Sequence, residues 1–212
     1  MKCRKPWLIP VIVVGGIQLL SVVALVALFL RHTKVDNRIS NYEKYRQEIG
    51  GAKSYLPSLE EVDSYQTNKK LCSYQETSYA FFTAYGISLF VDYKDESYQQ
   101  IVDNYAIDNS FLTDEEIEKE LRCEYCDFPV KEFDYKNYHF KIEAHPHINN
   151  VSKSCKSFMF VGFDDENTNI AYLYFYDFDI DYTYEPKDGD TIKDRENAMK
   201  KMIKDYFHWW DL

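Results

Sequence analysis

The hydrophobic pattern changes its period along the chain, and each change marks an element. From Trp7 to Leu30 there is no period at all: "WLIPVIVVGGIQLLSVVALVALFL" carries no ionisable side chain, and about 20 apolar residues suffice to cross the hydrocarbon core of a bilayer. The run predicts a transmembrane helix. A cleaved secretory signal would have an apolar region of about 7–15 residues followed by a small-residue cleavage site; this run is longer and lacks the site. Cys3 precedes the run and does not end it, so no lipidated-cysteine start is visible. Beyond it, Val35, Ile39, Tyr42, Arg46 and Ile49 recur at helical spacing before the glycines at 50 and 51. That spacing predicts a short amphipathic stalk helix ended by glycine.

The folded domain is expected from residue 52 onward. Ser58 and Glu61 stand in capping-box positions for one short helix turn, and after it the period becomes two. Segments near 69–75, 78–84 and 87–93 read as strands, with Gly86 supplying a bend between the last two. Tyr98, Ile101, Val102 and Tyr105 then fall on one face of a helix over 96–106, with Asp95 as its cap. In "FLTDEEIEKEL", Thr113 and Glu116 form a second capping box and Leu112 can staple to Ile117. Strands are expected at 138–144, where Tyr138, Phe140 and Ile142 alternate with His139, Lys141 and Glu143, and at 157–163 and 170–182. "DDENTN" should join the last two as an antiparallel hairpin. "PKDGD" breaks the chain, and a final helix starts under an Asp190 or Thr191 cap with Ile192, Met199, Met202, Ile203, Tyr206 and Phe207 as its buried stripe.

Strands grouped between helices, without regular alternation, define an α+β fold: an antiparallel sheet covered by helices on one side. The organisation expected is a tail at 1–6, a transmembrane helix at 7–30, a stalk at 31–51 and an α+β domain at 52–212. Lys2, Arg4 and Lys5 precede the span, while Arg31, Lys34 and Arg38 follow it. The positive-inside rule is therefore nearly balanced. The short leading tail favours a cytoplasmic N-terminus, an uncleaved signal-anchor and an extracytoplasmic domain. All 35 Asp and Glu lie after the span, with all but three of the 25 Lys and Arg, so the domain is more acidic than the net −10 of the whole chain. Such a domain is repelled by phosphate backbones and drawn to cations or basic proteins. Nucleic acid is not an expected partner; the membrane, and a basic protein or peptide, are.

Parity reads the run "YLYFYDFDIDYTY". Its even positions stay aromatic or branched, while its odd positions pass from Leu173 and Phe175 to Asp177, Asp179 and Asp181. Alternate side chains share a face about 6.6–6.8 Å apart, so the aspartates are expected as the solvated end of a strand. The functional alternative is a hard cation such as calcium, with Asp164, Asp165, Asp188 and Asp190 completing its oxygen shell; the spacing of a calcium-binding loop is absent. Cys123 and Cys126 form a C-x-x-C, and Cys72 and Cys155 lie elsewhere. These four suggest structural disulfides outside the cytoplasm. A zinc site would need Cys123, Cys126, Cys155 and His145 or His147, whereas a thioredoxin-like role would need the pair at a helix start, not at the end where "LRCEYCDFP" falls. His139 lies on a polar strand face, and His208 stands beside Trp209 and Trp210, which cannot both face inward on a helix. There is no G-x-S-x-G, H-E-x-x-H, phosphate loop or G-x-G-x-x-G. No catalytic residue or cofactor is expected.

In "LPSLEEVDSY", "GFDDENTNIAYLYFYDFDIDY" and "MKKMIKDYFHWW", the chain resembles small membrane-anchored proteins of Gram-positive, Clostridia-type bacteria, a group without an established activity. The resemblance spans about the final two-thirds of the chain and implies an anchor followed by a compact extracytoplasmic sheet-and-helix domain. It carries over no catalytic residue. The function expected is a membrane-anchored, non-catalytic binding domain; the alternative is a metal-binding or thiol-redox domain.

Overall fold

The computed structural model describes residues 32–79, 82–108, 111, 113, 130–143, 156–177, 189 and 191–209, together with Gln18, Ser21 and Val22. Apart from Gln18, Ser21 and Val22, which are helical, the expected transmembrane helix lies outside them, as do the helix after Thr113 and the C-x-x-C. Among the described residues no helix is long and apolar enough to cross a membrane.

A seven-stranded antiparallel sheet forms the middle layer. Its strands are β1 (His32–Asp36), β2 (Thr67–Tyr79), β3 (Phe82–Tyr93), β4 (Glu132–Tyr135), β5 (Tyr138–Ile142), β6 (Lys156–Asp164) and β7 (Asn169–Asp177), in the order β1-β2-β3-β7-β6-β5-β4. Two meanders, β1 to β3 and β4 to β7, thus meet where β3 pairs with β7. The α+β class holds, but helices cover both faces. Helix α1 (Tyr42–Glu48), helix α2 (Leu59–Asp63) and helix α3 (Asp95–Ile107) lie on one face, and helix α4 (Ile192–Tyr206) on the other.

Parity along each strand assigns the two cores. Cys72, Tyr74, Ile87, Leu89, Val91, Met159, Val161, Tyr172 and Tyr174 point to α1–α3. Ala84, Phe90, Phe140, Phe160, Leu173 and Phe175 point to Met199, Met202 and Ile203 of α4. Strand β7 is the central strand and is buried on both sides, apart from a half-buried Tyr176. Asp177 is consequently only 3% exposed, opposite Ala84 and Lys156. The expectation of a solvated strand end is corrected there, because a central strand covered by helices on both faces has no wet side.

Of the expected stalk at 31–51, the described residues 32–51 are not free. Strand β1 pairs with β2, placing His32 opposite Ser78 and Asp36 opposite Tyr74. The Asp36 carboxylate then ties the turn into α1: Arg38 donates to it through Nε at 2.8 Å and Nη2 at 2.7 Å, Asn41 at 2.7 Å and Tyr45 at 2.8 Å. Bonds from Arg38 above all hold its pKa well below the usual carboxylate range. Tyr42 is 1% exposed and donates to the Pro57 carbonyl at 2.7 Å, while the Tyr45 ring stacks on Tyr74 at 3.9 Å. Helix α1 ends at an extended Ile49, and Gly51, with φ +89, starts the turn at Ala52–Ser54 from the left-handed region that favours glycine.

Local signals were sound at several element ends. Ser58 caps α2 by accepting from Glu61 N at 3.0 Å. Thr191 and Asp194 form a reciprocal capping box on α4. Strands β6 and β7 pair as the expected hairpin around 165–168. Helix α3 begins differently, with Lys94 at the cap and Asp95 inside the first turn. Ile192 is 71% exposed and leaves the α4 stripe. Gly86 is no bend: it sits within β3, where an added Cβ would lie 2.0 Å from the Tyr206 carbonyl oxygen, so its bareness lets the end of α4 close onto the sheet. Strand β4 and its tight turn into β5 at Lys136, φ 52, were missed, because four residues carry little periodicity.

Candidate functional site

Between the sheet and the α1–α3 layer lies a cavity of about 360 Å³. The sheet contributes Tyr93 and Tyr172, whose hydroxyl oxygens stand 3.3 Å apart. Tyr55 and Tyr65 enter from the segments flanking α2, and Tyr105 from α3. Burial is the main reason these phenols hold their protons: Tyr93 is pushed up to about 12, and Tyr105 and Tyr172 are raised well above the ordinary value. At neutral pH they present uncharged hydroxyls and aromatic carbon.

Glu143 supplies the charge. It follows β5 in the same phase as His139 and Lys141, and is held by a bridge to Phe111 and by its N–H donating to Met159 O at 3.0 Å. Tyr105, Phe111 and Phe163 form an aromatic trio beside it, with Tyr105 stacked on Phe111 at 5.2 Å and Phe163 edge-on at 5.8 Å. Part of the residue keeps its surface open, but Oε2 is shut off from solvent and has no hydrogen-bond partner among the described residues. Burial alone pushes the carboxyl up to about 7. An acid shifted this way lacks a compensating cation or donor.

The cations at the rim are directed elsewhere or exposed. Arg46 donates from Nε to Leu56 O at 2.7 Å and from Nη2 to Lys53 O at 3.0 Å, and pairs with Glu43 at 3.3 Å. Lys53 is exposed. Glu61 and Asp108 also line the cavity. The site thus offers a neutral phenolic wall around one acid that ionises near neutral pH, a setting that accepts a proton or a donor from whatever enters.

The residues singled out from sequence are not assembled here. Asp177 is buried on the opposite face, towards α4. Asp179, Asp181, Cys123, Cys126, Cys155, His145, His147, Asp188 and Asp190 lie outside the described residues. Asp164 accepts from Asn167 within the β6–β7 turn, and Asp165 accepts from Tyr98 at 2.5 Å, so both have structural partners. Cys72 is free and buried, its thiol raised to about 11 by burial. His139 is exposed, with Nδ1 2.8 Å from Asp134. Among the described residues no three His, Cys, Asp or Glu gather as a metal-binding group. Glu143 was legible only as the polar phase of its strand; what covers that phase comes from residues 55, 105 and 111, distant in sequence. No protein-family model, curated protein or solved structure matches the chain.

Proposed function

We propose that the protein is a single-pass membrane-anchored, extracytoplasmic binding domain without catalytic activity, and that the cavity lined by Tyr55, Tyr105, Tyr172 and Glu143 is where its ligand sits. The observation that carries this reading is the Glu143 carboxyl, without a hydrogen-bond or ion-pair partner among the described residues, on the wall of a phenol-lined cavity. A buried polar atom without a partner costs roughly 1–3 kcal/mol, and a cavity of about 360 Å³ falls in the range of small-molecule sites, roughly 300–1,000 Å³. Such a site also suits one side chain of a protein partner. The apolar run at 7–30 supports the anchor, and the acidic balance after it supports a basic partner and disfavours nucleic acid.

Thermal unfolding of the full chain in detergent, against a panel of small amines, alcohols, sugars and carboxylates, tests this. A ligand at a hundred times its dissociation constant stabilises by about 2.7 kcal/mol. At least one class should raise the melting temperature, and Asn104→Trp, placing an indole from the exposed side of α3 at the cavity mouth, should abolish the rise. A panel that leaves the melting temperature unchanged, or a rise that survives Asn104→Trp, overturns the reading.

A further inference from the structure

We infer that the cavity selects an organic cation, an alkylammonium or guanidinium group on a short apolar stem such as the end of a lysine or arginine side chain, held by ion pairing to Glu143 between phenol walls. This rests on the cavity being a binding site and adds the class of ligand.

Three observations converge on a cation. Glu143 lines the cavity and its carboxyl has no side-chain hydrogen bond or ion pair among the described residues, so a donor is what the site lacks. The domain's own cation nearest in kind, Arg46, is committed to Glu43 and to two backbone carbonyls. The walls are neutral phenols and apolar side chains such as Leu56, Val62 and Ile101. Aromatic rings attract cations through their quadrupole, and a desolvated carboxylate gains most from a charged donor. Size selects further, because a cavity of about 360 Å³ has room well beyond a bare ammonium, a water molecule taking about 30 Å³ of the liquid. An anion would meet Glu143, Glu61 and Asp108 across the same space.

Ion pairing also fixes a proton count. Glu143 titrates at about 7, so near neutral pH about half of the molecules carry a proton there that an entering cation displaces to solvent. The other charged groups facing the cavity are Arg46 from α1, Lys53 from the turn after it, Glu61 from α2 and Asp108 from the residue that ends α3; Tyr55 and Tyr105 feel the Glu143 charge and stay neutral at this pH.

The test is isothermal titration of the full chain in detergent with butylammonium and butylguanidinium, with butanol and butyrate as matched probes. At pH 8 the cations should bind, and butanol and butyrate should not. At pH 5.5 affinity should be roughly thirty-fold weaker, the ratio of ionised Glu143 for a group titrating at about 7. At pH 7, buffers of different ionisation enthalpy should reveal release of about half a proton per ligand. Glu143→Gln should lose at least tenfold in affinity at pH 8 and both proton-linked signatures, while Asp108→Asn keeps them. Butanol or butyrate binding in place of the cations, blocked by Asn104→Trp, would overturn the cation assignment and leave the binding site standing. Cation binding without pH dependence, or unchanged in Glu143→Gln, would overturn the role of Glu143. No binding by any probe would overturn the cation assignment, and with an unresponsive ligand panel the binding site too.

Discussion

In an unfolded chain Glu143 would titrate near 4.5, whereas burial in the fold moves it to about 7. Between those values the folded state holds a proton that the unfolded state has given up, so stability falls as pH rises through this window and levels off above it. The cost at pH 8 is on the order of 3 kcal/mol, each pKa unit being about 1.4. Glu143→Gln removes the charge and keeps the shape. It should therefore be more stable than the parent at pH 8 by that margin and equal to it near pH 4, as read from urea midpoints at the two pH values. Asp36 works in the opposite sense: its carboxyl is held low by Arg38, so its contribution is present above about pH 4 and lost below it. At this scale parity told which face a residue occupies, but not what lies over it. That is why Asp177, which is buried, and Glu143, which is partly covered, both read as solvated positions.

Helix caps and the β6–β7 turn were readable because a few adjacent residues decide them: Ser58 with Glu61, Thr191 with Asp194, and the Asp and Asn cluster at 164–169. Pairings that span sequence were not. Nothing in "HTKVD" announces a strand, since its place is set by β2 some forty residues later, and Gly86 signals a turn or a close approach with equal force. The domain edge moves as a result. A chain beginning at residue 52 loses β1 and α1, and with them the buried Tyr42 and the Glu43 carboxylate that accepts from Leu59 N at 2.6 Å. Deleting a large buried aromatic costs about 3–5 kcal/mol by itself, a large share of the roughly 5–15 kcal/mol of a whole domain. Urea unfolding should show residues 31–212 melting cooperatively and residues 52–212 without a native baseline. Equal midpoints would show that β1 and α1 are ornaments on a fold complete without them.

Across the whole molecule, the sheet separates two cores of different character. The α4 side is closed by Phe, Met and Trp packing, with Trp209 edge-on to Phe90 at 4.9 Å, while the α1–α3 side is tyrosine-rich and holds the cavity. Excess negative charge after residue 30 draws cations towards the domain over several ångströms of solution, and Glu143 gives them a place to lose their water. Composition made the first half of that visible, but the second required three layers to be assembled. Glu143 is thus an uncompensated acid on the cavity wall, set to receive a cationic partner. Its side-chain carboxyl carbon, followed by ¹³C NMR in the labelled full chain, should titrate with a midpoint near 7 and shift to lower pH when butylammonium is added. A midpoint near the ordinary glutamate value of about 4.3, unmoved by the amine, would contradict the account.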